Sequence, residues 1–380
     1  MENYHAWREG DAITRRAEAR RGGFGRLALG WLLAVPLAAC ADDVRVETVA
    51  TGLEHPWSLA FLPDGRMLVT ERPGRLRPVT ADGELGPPLE GVPAVFASGQ
   101  GGLFDVVPHP EFDGNRLVYL SYAEGGPRDN GTAVARGRLE DGRLADVEVI
   151  YRVRHRKATA AHFGGRMAFL PDGTLLLTTG DGFDLREAAQ EVSSDLGKVL
   201  RMTDDGAPAE GNPFPEAPYV YSLGHRNPQG LTVDREGTVW LDEHGPRGGD
   251  EVNVIEAGVN YGWPAITYGV DYSGAMISPY TERPGMAQPL LHWTPSIAPS
   301  GLARYEAGLF EAWRGDLLVG ALAAQELRRV DLEGGEVAGQ ETVIDDVGRV
   351  RDVRVAPDGA VWLLTDAGNG ALLRVTPGGR

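Results

Sequence analysis

A short turn followed by a strand recurs six times along this chain and constrains its fold more than any other feature. Each turn contains glycine with aspartate or glutamate, and an alternating or wholly apolar strand comes next. The turn glycines are Gly65, Gly114, Gly173, Gly237, Gly315 and Gly359. This pattern is typical of a hairpin that leads into a buried strand. No long stretch after residue 43 has helical periodicity, so the sequence predicts an all-β protein.

The spacing of these units predicts the architecture. Successive turn glycines are 44 to 78 residues apart, which suits blades of several strands with inserted loops. We therefore predict a six-bladed β-propeller within residues 41–380. The segment VRVETVA at 44–50 precedes the first unit and is expected to complete the last blade, which would close the ring. A two-sheet sandwich and two smaller β domains are the alternatives.

The charge of the chain limits its partners. Its 380 residues include 54 acidic side chains against 37 lysines and arginines, a formal net charge of −17. Such an excess argues against nucleic acid or an anionic membrane as the main partner.

The first 40 residues have the layout of an export signal. A basic start is followed by an uncharged apolar run over 27–39 and by Leu-Ala-Ala-Cys ending at Cys40. This ending resembles a bacterial lipobox, in which the cysteine is lipidated and begins the mature chain. Because Ala41 follows where an aspartate would signal inner-membrane retention, we expect a periplasmic protein anchored to the outer membrane. An ordinary signal peptide and a soluble periplasmic protein are the alternative.

Five segments are too polar and too rich in glycine for simple connectors. They are SGQGGLFDV (98–106), AHFGGRMAF (161–169) with GDGFD (180–184), GHRNPQG (224–230), DEHGPRGGDEVNVIEAGVNYGWP (242–264) and GRVRDVRVAPDG (348–359). Their combination and order resemble the soluble aldose sugar dehydrogenases of the glucose/sorbosone dehydrogenase family, which use pyrroloquinoline quinone (PQQ). The resemblance covers residues 44–377. It implies oxidation of the C1 hydroxyl of an aldose to the lactone.

The arginines in these segments suit this cofactor. PQQ is a flat tricarboxylate, and its burial requires cations and hydrogen-bond donors. Planar, permanently charged guanidinium groups pair well with carboxylates. The resemblance implies that the cofactor contacts are Gln100, Arg226, Asn227, Gln229, Trp293, Arg349 and Arg351. The alternatives are surface ion pairs for the arginines and core packing for Trp293.

One position departs from the family. The family often has a lysine that contacts the quinone in the loop corresponding to GALAAQE (320–326), and the matching residue here is Ala323. Part of the cofactor-binding set is therefore missing at that position.

A histidine and an aspartate are the predicted catalytic pair. The family's base lies in a His-x-x-Gly-Arg pattern, which here runs from His162 to Arg166. A group that titrates near neutral pH is suited to removing the hydroxyl proton. By resemblance, Asp181 orients the imidazole. The alternative is that His162 only caps a turn; His225 and His244 are weaker candidates for the base.

Calcium is the second implied cofactor. By resemblance, the carbonyl groups of Gly245 and Pro246 help to hold a Ca²⁺ ion that polarises the quinone. Glu251, the carbonyl group of Tyr261 and Asp271 are a candidate second, structural calcium site.

Two other functions remain open at this point. A metal-dependent lactonase on the same fold would need converging carboxylate and asparagine ligands, and a non-catalytic periplasmic binding propeller would not need the His162–Asp181 pair. The chain has no Cys-x-x-Cys-His motif for a c-type haem, so an external electron acceptor (a quinone, a cytochrome or a dye) is expected beside the aldose substrate.

Overall fold

The computed structural model describes residues 44–379, which form six small antiparallel sheets in the order of a closed propeller. The predicted six-bladed β-propeller is therefore confirmed. The export signal and lipobox predicted over residues 1–40 lie outside the described residues. Within 44–379, no helix is both long and apolar enough to span a bilayer.

The strands follow one another blade by blade. In chain order they are β1 (Val44–Leu53) in the last blade; β2 (Pro56–Phe61), β3 (Met67–Glu71) and β4 (Arg75–Val79) in blade 1; β5 (Leu103–Pro108), β6 (Leu117–Gly126), β7 (Asp129–Glu140) and β8 (Arg143–Arg152) in blade 2; and β9 (Met167–Phe169), β10 (Leu175–Thr179), β11 (Lys198–Met202) and β12 (Val220–Leu223) in blade 3. The second half comprises β13 (Pro228–Val233), β14 (Val239–Glu243), β15 (Asp250–Ile255) and β16 (Leu291–Trp293) in blade 4; β17 (Pro299–Arg304), β18 (Leu317–Ala321), β19 (Glu326–Glu333) and β20 (Glu336–Ile344) in blade 5; and β21 (Val350–Val355), β22 (Val361–Thr365) and β23 (Gly370–Pro377) in blade 6. The helices are α1 (Phe112–Asn115) and two 3₁₀ turns, Arg186–Gln190 and Glu311–Trp313.

The ring closes through its two ends. Strand β1 pairs antiparallel with β23, from Val44 opposite Pro377 to Leu53 opposite Gly370. The prediction that 44–50 completes the last blade is confirmed, and the strand continues to residue 53. Each of the six turn glycines lies between the first and second strands of its blade, as the repeat predicts.

Apolar side chains stabilise the contacts between blades. Six clusters of buried apolar residues in the described chain each span one junction between neighbouring blades. In one of them, Leu68 of blade 1 packs in the same cluster as Val118 of blade 2, and both are almost fully buried. Because each sheet buries its faces against its neighbours, the blades depend on one another for stability.

A buried arginine joins the innermost strands at the centre of the ring. The Arg166 side chain is 1% exposed and precedes β9. Its Nε donates to the Gln229 carbonyl oxygen at 2.6 Å, and its Nη2 donates to the Arg351 carbonyl oxygen at 2.9 Å. Its Nη1 lies 2.9 Å from the Asp352 carboxylate, and its guanidinium lies 4.1 Å from the centre of the Trp57 ring. One side chain thus links blades 1, 3, 4 and 6.

Two carboxylates and a second arginine extend this network. Asp105 of blade 2 accepts from the Met167 backbone N–H at 2.8 Å and from Arg354 at 3.1 Å. Asp352 accepts from the Leu59 backbone N–H at 2.8 Å and from Arg354 at 3.0 Å. Both carboxylates are almost fully buried and have charged partners, as buried charges require.

Removal of the central guanidinium should destabilise the fold. Arg166→Met leaves Asp352 without one of its cations, and breaking a buried ion pair costs roughly 3–5 kcal/mol. Arg354→Met should cost less because that side chain is 24% exposed. Calorimetric melting temperatures of the apo-variants measure the difference, with Arg143→Met, at an exposed site, as control. A smaller loss for Arg166→Met than for Arg354→Met would contradict this central role.

Candidate active site

Two cavities lie where the innermost strands of the blades begin. We call the first the donor pocket; its volume is about 150 Å³. We call the second the histidine cavity; its volume is about 310 Å³. They are adjacent because consecutive residues, Arg226 and Asn227, line one cavity each. The Gln100 side chain also connects them, since its Oε1 accepts from the His162 backbone N–H at 2.8 Å.

The donor pocket contains most of the predicted cofactor residues. Its lining is Trp57, Arg72, Gln100, Phe104, Phe163, Gly164, Asn227, Gln229, His244, Leu322, Arg349, Arg351 and Asp366. Five of the seven predicted residues are therefore together: Gln100, Asn227, Gln229, Arg349 and Arg351. They come from the segments that begin blades 2, 4 and 6.

Internal hydrogen bonds orient the amide side chains of this pocket. Asn227 Oδ1 accepts from Gln229 Nε2 at 3.2 Å, and Gln229 Oε1 accepts from Arg351 at 3.0 Å. Gln100 Oε1 accepts from the backbone as described above. The side-chain NH₂ groups of Gln100 and Asn227 remain available as donors, so the pocket presents hydrogen-bond donors to a ligand.

An aspartate that the sequence analysis did not select holds one of the arginines. Asp366 accepts from Arg351 at 3.1 Å and lies 2.7 Å from His55 Nδ1. Burial alone would raise the pKa of Asp366, but the charge of Arg351 and the hydrogen bonds from His55 and Arg351 prevail and lower it to about 2. The ionised carboxylate fixes the position of the Arg351 guanidinium. In the sequence, the only indication of this role is that Asp366 directly follows a predicted strand.

The structure adds a cation and three aromatic rings to the predicted set. Arg72 lines the pocket; its guanidinium has no hydrogen-bond acceptor among residues 44–379, and its charge helps to lower the pKa of Asp366. Phe104 packs between Trp57 and Phe163, with ring centres 5.4 Å from Trp57 and 5.5 Å from Phe163. These residues come from blade 1, blade 2 and the loop before blade 3. No local motif marks them, because only the ring closure brings their positions together.

Trp293 does not lie in the donor pocket, and its predicted place against a flat ring is wrong. It is 6% exposed and belongs to the apolar cluster between blades 4 and 5. Its indole N–H donates to Gln340 Oε1 at 2.8 Å, on an outer strand of blade 5. As the last residue of the outermost strand β16, it is held away from the central channel.

His162 and Asp181 form a buried pair in the histidine cavity. His162 Nδ1 lies 2.7 Å from Asp181 Oδ1, and the Trp263 indole N–H donates to Asp181 Oδ2 at 2.7 Å. Asp181 also accepts from the Phe183 backbone N–H at 2.8 Å. A carboxylate accepts only, so Nδ1 carries the proton and Nε2 is left as a base.

The surroundings set the protonation of this pair. Burial lowers the pKa of His162; the hydrogen bond to Asp181 opposes this effect, and the charges of Arg226 and Lys157 add to it. Burial would raise the pKa of Asp181, but its interactions with His162 and Arg226 lower it. A neutral imidazole beside an ionised carboxylate is ready to accept a proton.

The backbone around His162 explains why residue 180 is a glycine. His162 has a φ of +50°, an unusual value for a residue with a side chain. A Cβ on Gly180 would lie 2.4 Å from the His162 carbonyl oxygen, so only glycine allows the two segments to approach. The two glycine-rich loops thus place His162 and Asp181 within hydrogen-bonding distance.

Arg226 lies beside the histidine cavity and contacts the predicted calcium-binding loop. Its Nη1 donates to the carbonyl oxygens of His244 at 3.0 Å and Gly245 at 2.6 Å. Pro246 lines the same cavity. The predicted loop and arginine are therefore neighbours. A carbonyl oxygen has two lone pairs, so the bond from Arg226 leaves Gly245 with capacity for another partner.

The residues of the predicted second calcium site have separate contacts. Glu251 pairs across the sheet with Glu243, and burial and the Glu243 charge raise the pKa of Glu251 to about 8. Tyr261 stacks on His225 with ring centres 4.9 Å apart. Asp271 lines the histidine cavity. Within residues 44–379 no three histidine, cysteine or acidic side chains are placed to hold a metal. This second site stays a prediction.

The two weaker histidine candidates have structural hydrogen bonds. His225 is fully buried between Ser222 and Glu243, each at 2.9 Å from a ring nitrogen. His244 Nε2 lies 2.8 Å from the Pro299 carbonyl oxygen. Both ring nitrogens of His225 therefore have partners, and the partner of His244 is a carbonyl group and not a carboxylate. Of the three histidines, His162 alone combines a carboxylate on Nδ1 with an Nε2 that has no hydrogen-bond partner among residues 44–379, which supports His162 as the base.

Known proteins are similar to this chain in both sequence and fold. The Escherichia coli K12 aldose sugar dehydrogenase YliI is 41% identical over 357 residues, which cover 91% of this chain and 96% of that protein. A crystal structure of a glucose dehydrogenase is 46% identical with a TM-score of 0.85, and covers 88% of this chain and all of that one.

A cofactor-bound structure is also similar. The PQQ-bound aldose sugar dehydrogenase of Streptomyces coelicolor is 33% identical with a TM-score of 0.73, and covers 88% of this chain and 99% of that one. The family model "Glucose / Sorbosone dehydrogenase" matches residues 53–374, which include both cavities and the inner strands of every blade. The chain therefore belongs to the glucose/sorbosone dehydrogenase family.

Proposed function

We propose that this protein is a PQQ- and calcium-dependent dehydrogenase that oxidises the C1 hydroxyl of aldose sugars to the lactone. Membership of the family makes it an oxidoreductase that acts on a sugar CH–OH group. The observation that supports the finer proposal is the pairing of a donor-lined pocket with a cavity that contains a buried histidine–aspartate pair. A lactonase would not require such a cationic pocket, and a binding propeller would not require the pair.

The donor pocket fits a flat tricarboxylate. Arg72, Arg349 and Arg351 would pair with carboxylates, and the free amide groups of Gln100 and Asn227 would donate to carboxylate or quinone oxygens. The three aromatic rings add apolar surface for the flat ring system. Arg72 supplies a positive charge that Ala323, where the family often has lysine, cannot provide.

Proton removal is the task of His162. Its Nε2 would accept the C1 hydroxyl proton as the hydride leaves the same carbon, which turns the C–OH group into the lactone carbonyl. Asp181 would hold the imidazole in the required tautomer and stabilise the imidazolium. When bound, PQQ supplies the two-electron acceptor for the hydride. The histidine cavity, which opens onto this base, would hold the sugar.

Calcium would bind beside Arg226. The carbonyl oxygens of Gly245 and Pro246 would contribute two ligands, and oxygen is the ligand that Ca²⁺ prefers. The ion would act as a Lewis acid on the quinone. Electrons would then leave to an external acceptor, since the sequence has no haem-attachment motif.

Location is a separate proposal. The Leu-Ala-Ala-Cys segment supports lipidation of Cys40 and anchoring at the outer membrane from the periplasmic side. The aldose substrate and the acceptor would meet the enzyme there.

Replacement of the base should stop turnover without loss of the cofactor. His162→Gln is expected to lower kcat by ~10²–10⁴-fold, the usual contribution of a general base. Apo-protein would be mixed with PQQ and Ca²⁺ and assayed with glucose and a dye, and PQQ binding would be titrated by absorbance. His155→Gln, at an exposed histidine, is the control. A kcat like that of the wild type in His162→Gln would eliminate this assignment.

The pH dependence should follow from the lowered pKa of His162. The base is active when neutral, so kcat/KM should fall only as pH drops below about 6.5, the ordinary histidine value. Profiles of kcat/KM against pH for the reconstituted enzyme measure this limit. An acid limb centred above neutral pH would be inconsistent with His162 as the base.

Loss of a pocket arginine should weaken cofactor binding. Arg72→Ala and Arg349→Ala each remove a charge-assisted hydrogen bond, worth ~1.5–3 kcal/mol, or about 10- to 150-fold in the PQQ dissociation constant. These two arginines are preferred to Arg351, which also bonds Asp366 and Gln229. Arg143→Ala on the outer face of blade 2 is the control. Unchanged PQQ affinity in both pocket variants would refute the tricarboxylate proposal.

Lipidation can be tested on the precursor. Cys40→Ser should prevent incorporation of labelled fatty acid, because Cys40 is the only cysteine of the chain. A protein that starts at Ala41 behind a cleavable signal should be soluble and fully active, since the propeller begins at residue 44. Unlabelled wild-type protein that fractionates freely in the periplasm would leave only the ordinary signal peptide.

A further inference from the structure

A third cavity lies at the junction of blades 6 and 1, away from the donor pocket. Its volume is about 540 Å³. Strand β2 begins beside Trp57 of the donor pocket and ends at Phe61, which lines this cavity. Strand β22 begins at the cavity and leads to Asp366 of the donor pocket. The third cavity is therefore at the opposite end of the same strands.

Its lining combines aromatic rings with charged groups. Phe61 and Trp362 meet edge to face with ring centres 5.9 Å apart, and Leu62 and Met67 add apolar surface. The remaining polar lining residues are Glu47, Asp82, Asp358 and Arg374. Arg374 donates to Asp358 at 2.7 Å, and both are partly exposed. The cavity thus has an apolar floor and a polar rim.

Within residues 44–379, the indole N–H of Trp362 has no hydrogen-bond partner. Trp362 is 7% exposed, and its Nε1 is a buried donor without a hydrogen-bond acceptor among residues 44–379. A buried donor without a partner costs about 1–3 kcal/mol. An acceptor placed beside this indole N–H would recover that cost.

In blade 4, the equivalent indole N–H has a hydrogen-bond acceptor. Trp240 and Trp362 occupy equivalent positions in their blades. Each is the second residue of the second strand and pairs with the next-to-last residue of the first strand. Trp240 Nε1 donates to Asp234 Oδ2 at 3.0 Å. The residue in the position of Asp234 in blade 6 is Ala356, with the same backbone bond across its turn. Ala356 lines the third cavity.

A second residue also differs between the junction of blades 4 and 5 and the junction of blades 6 and 1. At the junction of blades 4 and 5, the Arg304 guanidinium lies 5.0 Å from the centre of the Trp240 ring. Arg304 ends the first strand of blade 5, and Phe61 ends the first strand of blade 1. The aspartate and arginine of one junction are thus an alanine and a phenylalanine at the other. These exchanges leave a hollow with an unpaired donor and two aromatic rings.

We propose that this cavity binds a neutral sugar at a site separate from the catalytic centre. Carboxylates on the rim accept hydrogen bonds from hydroxyl groups, whereas the Trp362 N–H and Arg374 donate to them. The rings of Phe61 and Trp362 present apolar surface to the C–H groups of a pyranose. Three carboxylates disfavour an anionic ligand. The proposal does not depend on the proposed oxidation chemistry.

Binding should be measured with a sugar that the enzyme cannot oxidise. Trehalose has no free C1 hydroxyl, so calorimetric titration of the full-length protein reports binding alone. Ala356→Asp restores the partner found in blade 4 and should abolish saturable binding at this cavity without lowering the melting temperature. Trp362→Phe keeps the ring, removes the donor and should weaken binding several-fold. Trp240→Phe is the matched control and should leave trehalose affinity unchanged.

The outcomes separate this site from the catalytic one. Glucose oxidation by Ala356→Asp should equal that of the wild type, because Ala356 lies in neither active-site cavity. Wild-type protein without saturable trehalose binding would overturn the proposal and leave water as the partner of Trp362. Trehalose binding that survives both Ala356→Asp and Trp362→Phe would also overturn it, because the sugar would then bind elsewhere.

Discussion

The interaction on which the rest of the structure depends is the set of contacts made by the buried Arg166 guanidinium. It donates to the carbonyl groups of Gln229 and Arg351, pairs with Asp352 and lies against Trp57. These four partners come from three separate parts of the chain, and three of them have side chains in the donor pocket. Because both hydrogen bonds are made to backbone, the side chains of Gln229 and Arg351 remain free for other contacts. The Arg166 guanidinium therefore connects the blades and also positions residues that line the donor pocket.

An acidic protein has in this way acquired a cationic pocket. The chain has a net charge of −17, yet the donor pocket contains Arg72, Arg349 and Arg351. Burial of a charge is costly unless it is paired, and Asp366 offsets part of that cost for Arg351. An anionic ligand can offset the remainder. In the neighbouring histidine cavity, burial and nearby cations keep His162 neutral, while Asp181 stays ionised.

Several features were predictable because they depend on local or periodic patterns. The six turn glycines predicted the six blades, and the segment at 44–50 predicted the closure of the ring; both are confirmed. The pairing of His162 with Asp181 and the grouping of Gln100, Asn227 and Gln229 also follow from motifs in the sequence. Trp293 was misplaced, because its motif gives no information on whether an aromatic ring faces the channel or a neighbouring blade. Its position on an outermost strand decides that question.

The sequence by itself thus determined the fold, the family resemblance and the identity of the residues with reactive side chains. Turn chemistry, strand alternation and short motifs act over a few residues, so they can be read along the chain. Only the tertiary structure decided which side chains meet. It places Asp366 beside Arg351 and Trp57 above Arg166, and it leaves the Trp362 indole without the aspartate that bonds the equivalent indole in blade 4. Other contacts at the centre of the ring join residues that are 185 positions apart, as for Arg166 and Arg351, or 293, as for Leu59 and Asp352. They exist because the closed ring brings the first strands of all blades to a common axis, which no local pattern encodes.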